Sequence, residues 1–222
     1  MADKQRVVIV EDDDLYRNLL TVCLSQQPTL EVAASFSNSD HAAALAASFR
    51  PAAAILDITL PGSMDGVQLG LRLRQQLPGL GIVLLSNHAF PELLASLPAR
   101  EVAGWSYLLK KTVTDVDALA RAIAGSAAGM VTLDPSLVAG MQPRVNSHLS
   151  RLTRRQREVL DLIALGFTNA AVAQALVLTE KSVEKHVSSL YDALEIERGD
   201  PATTPRVQAV LRYLEESRAA RD

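Results

Sequence analysis

The first half of the chain alternates short apolar runs with longer stretches in which apolar residues recur at helical spacing. Residues 7–10, 30–34, 52–56, 81–85 and 106–109 have the length and side-chain type of strands, and residues 15–26, 39–49, 66–77, 89–97 and 114–124 read as the helices between them. Strand and helix in regular alternation predict an α/β fold, five βα units forming a doubly wound parallel sheet. Thr114, with Asp117 three residues on, opens the last of these helices as a variant of the capping box.

The rhythm stops near residue 125. Gly125, Gly129, Pro135, Gly140 and Pro143 crowd into the next stretch, which marks a linker. Beyond it the pattern is helical. Thr153 with Gln156 makes a capping box for a helix running through Leu165 to Gly166, a C′ glycine. Thr168 and Thr179 are two further N-caps, and Thr204-Pro205 sets a cap and then proline at the first position of a last helix. No strand is needed here. The expected organisation is a (βα)5 domain over residues 1–125, a linker over 126–148 and a small all-α domain over 149–222.

Composition agrees with two small domains. The chain has 222 residues, 48% of them hydrophobic and only 4% aromatic, which favours helices packed on helices or on a sheet over an aromatic-rich sandwich. The single cysteine, Cys23, cannot form an intramolecular disulfide, and its apolar neighbours Val22 and Leu24 make it read as a small buried hydrophobe in a reducing compartment. Nothing before residue 7 resembles a signal peptide, and no apolar run approaches the roughly 18 residues that a membrane span needs. A soluble, cytoplasmic protein without a membrane partner is expected.

The net charge of −3 is unevenly spread. Residues 1–143 carry 10 Lys+Arg against 14 Asp+Glu, whereas residues 144–222 carry 12 against 11. That small basic excess says little about nucleic acid. More telling is the cluster Arg144, Arg151, Arg154, Arg155 and Arg157, which meets no acid until Glu158.

Ligands of open parallel sheets bind beyond the carboxyl ends of the strands. Glu11-Asp12-Asp13-Asp14 follow the first strand, Asp57 the third, Ser86 the fourth and Lys110 the fifth. Carboxylates about 4 Å apart repel by roughly 4 kcal/mol at a surface-like dielectric, so Glu11, Asp12 and Asp57 need a counter-ion. Mg²⁺ suits such ligands and would let an anionic phosphoryl donor approach an anionic Asp57. Lys110 can neutralise a phosphoryl oxygen and Ser86 can donate to one, which makes Asp57 a nucleophile. Taken singly, acids at strand ends read equally well as solvated loop charges.

Three stretches carry a family resemblance across residues 5–125: Val7-Val8-Ile9-Val10-Glu11-Asp12-Asp13, the run from Leu56-Asp57 through Thr59-Leu60-Pro61-Gly62 to Asp65-Gly66, and Tyr107-Leu108-Leu109-Lys110. They resemble receiver domains. The resemblance implies that Glu11, Asp12 and Asp57, with the backbone carbonyl of Thr59, hold the metal. It also implies that Asp57 is phosphorylated by a sensor histidine kinase, that Ser86 and Lys110 grip the phosphoryl group, and that Tyr107 turns inward on activation. Thr59 and His88 fall where receivers flank the path of hydrolytic water, although His88 reads more simply as an exposed loop histidine. The loop after Asp57 has one residue more than the commonest pattern, and Asn87 stands where a small residue is usual.

In a helix beginning after Thr179, Val183, Val187, Leu190 and Leu194 share one side, and Lys181, Lys185, Ser188 and Asp192 centre on the other at about 100° per residue. A short preceding helix, Thr168 to Leu176, is separated from Thr179 by only Val177-Leu178, which suits a helix-turn-helix whose second helix enters the major groove of double-stranded promoter DNA. Lys181, Lys185, Ser188 and Ser189 then reach bases or phosphates, and the helix start at Thr179 and Ser182 offers backbone N–H groups to phosphate. His186 lies nearer the packed side and reads as structural. Leu152 through Leu160, Gly166-Phe167-Thr168-Asn169 and Ser182 through Val187 resemble the LuxR-type helix-turn-helix, and that domain behind a receiver marks the NarL/FixJ class of response regulators. Glu184 and Ala193 depart from the lysines common there. The last helix carries Val207, Val210, Leu211 and Leu214 on one side, which reads as core alone or as core and dimer seam; in this class it commonly serves dimerisation on DNA. The implied function is a transcription factor gated by phosphorylation and not an enzyme acting on other molecules. Two alternatives stay open: a receiver whose output is a partner other than DNA, and an aspartyl-nucleophile phosphatase built on Asp12-x-Asp14.

Overall fold

The computed structural model describes residues 4–89, 92–113, 116–199 and 203–219. The chain forms two compact units, Met1–His88 with Gly104–Gly129, and Ala89–Ala103 with Met130–Asp222. In chain order the elements of the first half are β1 (Gln5–Val10), α1 (Asp14–Ser25), β2 (Leu30–Phe36), α2 (Ser39–Leu45), β3 (Ala53–Asp57), α3 (Gly66–Gln76), β4 (Gly81–Ser86), α4 (Glu92–Ala95), α5 (Ala99–Val102), β5 (Trp105–Leu109) and α6 (Val116–Ala127). There follow β6 (Thr132–Leu133), α7 (Pro135–Gly140), β7 (Met141–Pro143), α8 (Arg154–Ala164), α9 (Asn169–Leu176), α10 (Glu180–Ala193), α11 (Pro205–Glu216) and β8 (Ser217–Ala219).

In the first unit the five strands run parallel in the order β2-β1-β3-β4-β5, as the alternating pattern predicts. Because strand side chains alternate between faces, Val7, Ile9, Ala53, Ile55, Val83, Leu85 and Leu108 form one core with Leu20 and Leu24 of α1 and Leu119 and Ile123 of α6. The opposite face buries Val8, Leu56, Leu84, Trp105 and Tyr107, together with Leu69 and Leu73 of α3. Gly70 lets α3 approach closely, since a Cβ there would stand 2.7 Å from Trp105 Cη2. Cys23 is half-buried rather than enclosed, because α1 turns Leu20 and Leu24 inward.

The helices expected at 39–49 and 89–97 are both interrupted. α2 tightens into a 3-10 turn at Ala46–Phe49 and stops at Arg50, φ +47°, where Pro51 disfavours further helix. Of the second expected helix only the one-turn α4 forms among the described residues, and beyond the expected range a separate one-turn α5 starts after Pro98, which has no N–H to give to a continuous helix. Both short helices belong to the second unit, where α4 packs on α11. The expected cap at Thr114 lies outside the described residues.

Every N-cap foreseen in the second unit is present. Thr153 and Gln156 exchange both bonds of the capping box, and the side chains of Thr168, Thr179 and Thr204 accept from Ala171, Ser182 and Val207 N–H. Gly166 is left-handed (φ +78°), and a Cβ there would lie 2.4 Å from Thr132 Oγ1. The expectation of no strand is corrected: β7 and β8 pair antiparallel, Met141 with Ala219 and Pro143 with Ser217. Three-residue strands joined across most of the domain leave no local periodicity to read.

The turn between α9 and α10 contains a strained residue. Val177 has φ +54°, a conformation unfavourable for a β-branched side chain, and is 91% exposed, so its side chain gains little in exchange. Val177→Gly is expected to raise stability by about 1 kcal/mol, measured as a higher urea midpoint with unchanged slope; an equal or lower midpoint would contradict it.

Candidate functional site

Sheet register creates the first site. Val10 pairs with Leu56, Asp57 with Leu85 and Ser86 with Leu109, so Glu11, Asp57, Ser86 and Lys110 leave the sheet at one carboxyl edge. Glu11 is 1% exposed and Asp57 5%, while Asp12 lies open to solvent. One carboxylate oxygen from each of the three lies within 4.8 Å of the others. Lys110 Nζ stands 2.8 Å from both the Glu11 and the Asp57 carboxylates. The ammonium thus partly neutralises the acids, and the all-oxygen donor set fits a small hard cation.

The other expected residues surround this group. Thr59 N–H donates to Asp57 Oδ1 at 3.1 Å, which ties the Thr59 main chain to the pocket. The loop is held from behind by Gly66, whose N–H donates to Ile58 O at 3.0 Å and where a Cβ would stand 2.0 Å from Asp57 O. Ser86 Oγ accepts from His88 N–H at 3.1 Å, and the buried Tyr107 donates from its hydroxyl to His88 O at 2.6 Å. Tyr107 is therefore inward in this structure. Asp13 caps α1, and Asp14 pairs with Arg17, so neither supplies the pocket with a second acid in the Asp12-x-Asp14 sense.

Two residues at the pocket escaped the sequence reading. The Tyr16 ring lies 5.0 Å from Lys110 Nζ, and its buried hydroxyl has no hydrogen-bond partner among the described residues. Arg17 Nη1 donates to Glu11 O at 2.7 Å. Their spacing four and six residues beyond Asp12 and Glu11 is the available signal, since the first turn of α1 folds back over the strand end.

Burial pushes the Glu11 carboxyl above its ordinary value; the Lys110 hydrogen bond opposes this and the Asp57 charge reinforces it. Burial also works against the Lys110 charge, but its hydrogen bonds to Asp57 and Glu11 outweigh that and hold the ammonium above its usual pKa. The Tyr16 phenol is raised by burial and then by the Glu11 and Asp57 charges.

The second site is the exposed side of α10. Lys181, Lys185 and Ser188 are exposed along one arc, opposite the buried Val183, Val187 and Leu190. Thr179 caps the helix by accepting from Ser182 N–H, and Glu180 lies in its first turn. Ser189 is engaged otherwise, because its Oγ accepts from Gln156 Nε2 at 3.0 Å and thereby ties α10 to the start of α8. Arg155 Nη2 donates to Leu176 O at 3.0 Å, holding the end of α9 beside α8.

A sheet edge that gathers acids around a lysine, in a chain that also carries a capped helix pair with a basic exposed side, defines a phosphoryl-receiving regulator class. The family model for the response regulator receiver domain matches residues 7–124, and that for bacterial regulatory proteins of the luxR family matches residues 150–199. The chain belongs to the NarL/FixJ class of two-component response regulators, in which a receiver is joined to a LuxR-type DNA-binding domain. It is 28% identical over 215 residues to the transcriptional regulatory protein DegU of Brevibacillus brevis, covering 87% of this chain and 89% of that one. It is 29% identical over 209 residues to the response regulator protein VraR of Staphylococcus aureus (strain NCTC 8325 / PS 47), covering 93% and 94%. A solved structure of two RcsB dimers bound to two parallel DNAs shares its fold, with TM-score 0.52 and 21% identity over 96% of this chain and 99% of that one. Among the described residues no helix is long and apolar enough to cross a membrane.

A raised Glu11 pKa means that the native state holds this proton more tightly than the unfolded chain does. Its effect on stability is therefore favourable at low pH and is lost as pH rises from the ordinary carboxylate value through the raised one. Glu11→Gln should flatten that slope and raise the melting temperature of the metal-free protein at neutral pH. Thermal melts in EDTA from about pH 4 to about pH 8 check this, and a parallel pH profile in both proteins would contradict it.

Proposed function

We propose that this chain is a transcription factor whose receiver, over residues 1–125, accepts a phosphoryl group on Asp57 from a sensor histidine kinase. A linker over 126–148 then leads to a DNA-binding domain over 149–222. The observation that carries the reading is Lys110 Nζ at 2.8 Å from both Asp57 and Glu11, with Asp12 beside them. Glu11, Asp12, Asp57 and the Thr59 carbonyl would hold Mg²⁺, which when bound supplies the positive charge that lets an anionic donor approach an anionic acceptor.

The chain's own residues do the rest. An Asp57 carboxylate oxygen attacks phosphorus as the bond to the kinase imidazole breaks, leaving an acyl phosphate and a neutral imidazole once a proton is taken up. Lys110 turns from pairing with Asp57 to holding a phosphoryl oxygen. Ser86 accepts from His88 N–H and keeps its own hydroxyl proton, so it can donate to a second phosphoryl oxygen while still bonded to its loop. His88 also receives the Tyr107 hydroxyl, so a shift of Ser86 is passed to Tyr107 through one residue. Asp57 is the only acceptor and the kinase is left dephosphorylated; the protein acts in the cytoplasm.

The output is double-stranded promoter DNA. Lys181, Lys185 and Ser188 face the groove, the helix start at Thr179 and Ser182 meets phosphate, with the Ser182 N–H itself held by the Thr179 hydroxyl, and Ser189 contributes through its place on the same helix. Phosphorylation or DNA promotes a homodimer, a reading supported by the RcsB dimers seen on DNA.

Asp57→Asn is expected to abolish incorporation of phosphate from acetyl phosphate with Mg²⁺, scored by intact-mass spectrometry; stoichiometric labelling of the variant would refute the acceptor. Lys181→Ala/Lys185→Ala should weaken binding to promoter fragments and flatten its salt dependence by up to about 0.9 for each phosphate that is no longer neutralised. Specific binding at unaltered affinity and slope would take α10 out of the interface.

A further inference from the structure

α10 ends at Ala193 and α11 begins only at Pro205, a longer connection than two packed helices need. Arg198 reaches back from this connection onto α10. Its Nη2 donates to Ser188 O at 3.0 Å, to Ser188 Oγ at 3.1 Å and to Asp192 Oδ1 at 2.6 Å. Ser188 and Asp192 are exposed and stand seven and eleven residues after Lys181, so they continue the arc of Lys181 and Lys185 along the helix. The guanidinium therefore lies on the side of α10 that carries the basic residues, at its C-terminal end.

Three features argue that this group does more than fasten a loop. Among the described residues its hydrogen bonds all run from Nη2, which leaves the Nη1 and Nε hydrogens of a half-exposed guanidinium for another acceptor. Asp192 would otherwise set a bare carboxylate on a surface meant for a polyanion, and Arg198 neutralises it. In a helix-turn-helix the first turns of the recognition helix meet base edges, so residues further along the same side approach the sugar-phosphate rim.

We propose that Arg198 is a DNA-phosphate contact supplied by the α10–α11 connection, preset by Ser188 and Asp192 to extend the basic side of α10. This rests on the reading of α10 as the recognition helix. As a backbone contact, Arg198 adds affinity without sequence preference.

The test uses the full chain and a fluorescently labelled random-sequence duplex, with anisotropy titrations over a range of salt. Arg198→Ala should give a plot of log Kobs against log salt shallower by about 0.9, the value for one phosphate. Arg198→Lys should keep the parent slope, and Arg198→Ala/Asp192→Asn should stay as shallow as Arg198→Ala. An Arg198→Ala slope equal to the parent's, even with lowered affinity, would make Arg198 a loop fastening and overturn the proposal. So would recovery of the parent slope in the double variant, which would reduce its role to masking Asp192. Absence of salt-dependent binding by the unaltered chain, or indifference to Lys181→Ala/Lys185→Ala, would instead remove the reading of α10 on which the proposal rests.

Discussion

Charge balance at the carboxyl edge of a parallel sheet governs this molecule. Two buried carboxylates, Glu11 and Asp57, come from strands that pair with one another, and the ammonium between them comes from the end of β5. Taking such charges out of water costs several kcal/mol per ion, and their mutual attraction repays it only with good geometry. A buried ion pair of this kind is weak as a source of stability. Its retention makes sense if the acids must meet a cation and a phosphoryl group, with Lys110 able to serve either the resting carboxylates or an incoming anion.

The same edge shows how a chemical event could be felt at a distance within the first unit. His88 is held at its N–H by Ser86 and at its carbonyl by the buried Tyr107. Thr59 N–H grips Asp57 at the carboxyl end of the neighbouring strand β3, and Gly66 keeps that loop close. A pocket whose walls are tied by main-chain bonds changes by discrete exchanges of partner rather than by gradual deformation.

In the second unit the governing constraint is the placement of α10. Helices of 8 to 14 residues are marginal alone in water, and each of α8, α9, α10 and α11 starts with a threonine cap contributing about 1 kcal/mol. Orientation is then set by polar ties that reach between helices: Gln156 to Ser189, Arg155 to the carbonyl of Leu176, and the Tyr213 hydroxyl to Asp161 at 2.7 Å. Burial raises the Asp161 carboxyl while the Tyr213 bond opposes that rise, so this last tie joins two groups that both lose solvent on folding. One residue serves twice at the end of α8, where Gly166 both ends the helix and clears Thr132.

Local patterns alone were enough to read the alternation of strand and helix, the threonine caps, the C′ glycine at Gly166, and the appearance of Glu11, Asp57, Ser86 and Lys110 at strand ends. Each depends on residues within a few positions, where hydrophobic period and capping chemistry are decisive. Tertiary structure decided what depends on distant partners. Only the folded chain shows Lys110 bridging two acids, Tyr16 beneath it, Ser189 drawn to Gln156, Arg198 laid over Ser188 and Asp192, and β7 joined to β8. Such contacts join residues up to 99 positions apart, as in Lys110 and Glu11. Their energies come from burial and geometry that no window of sequence contains.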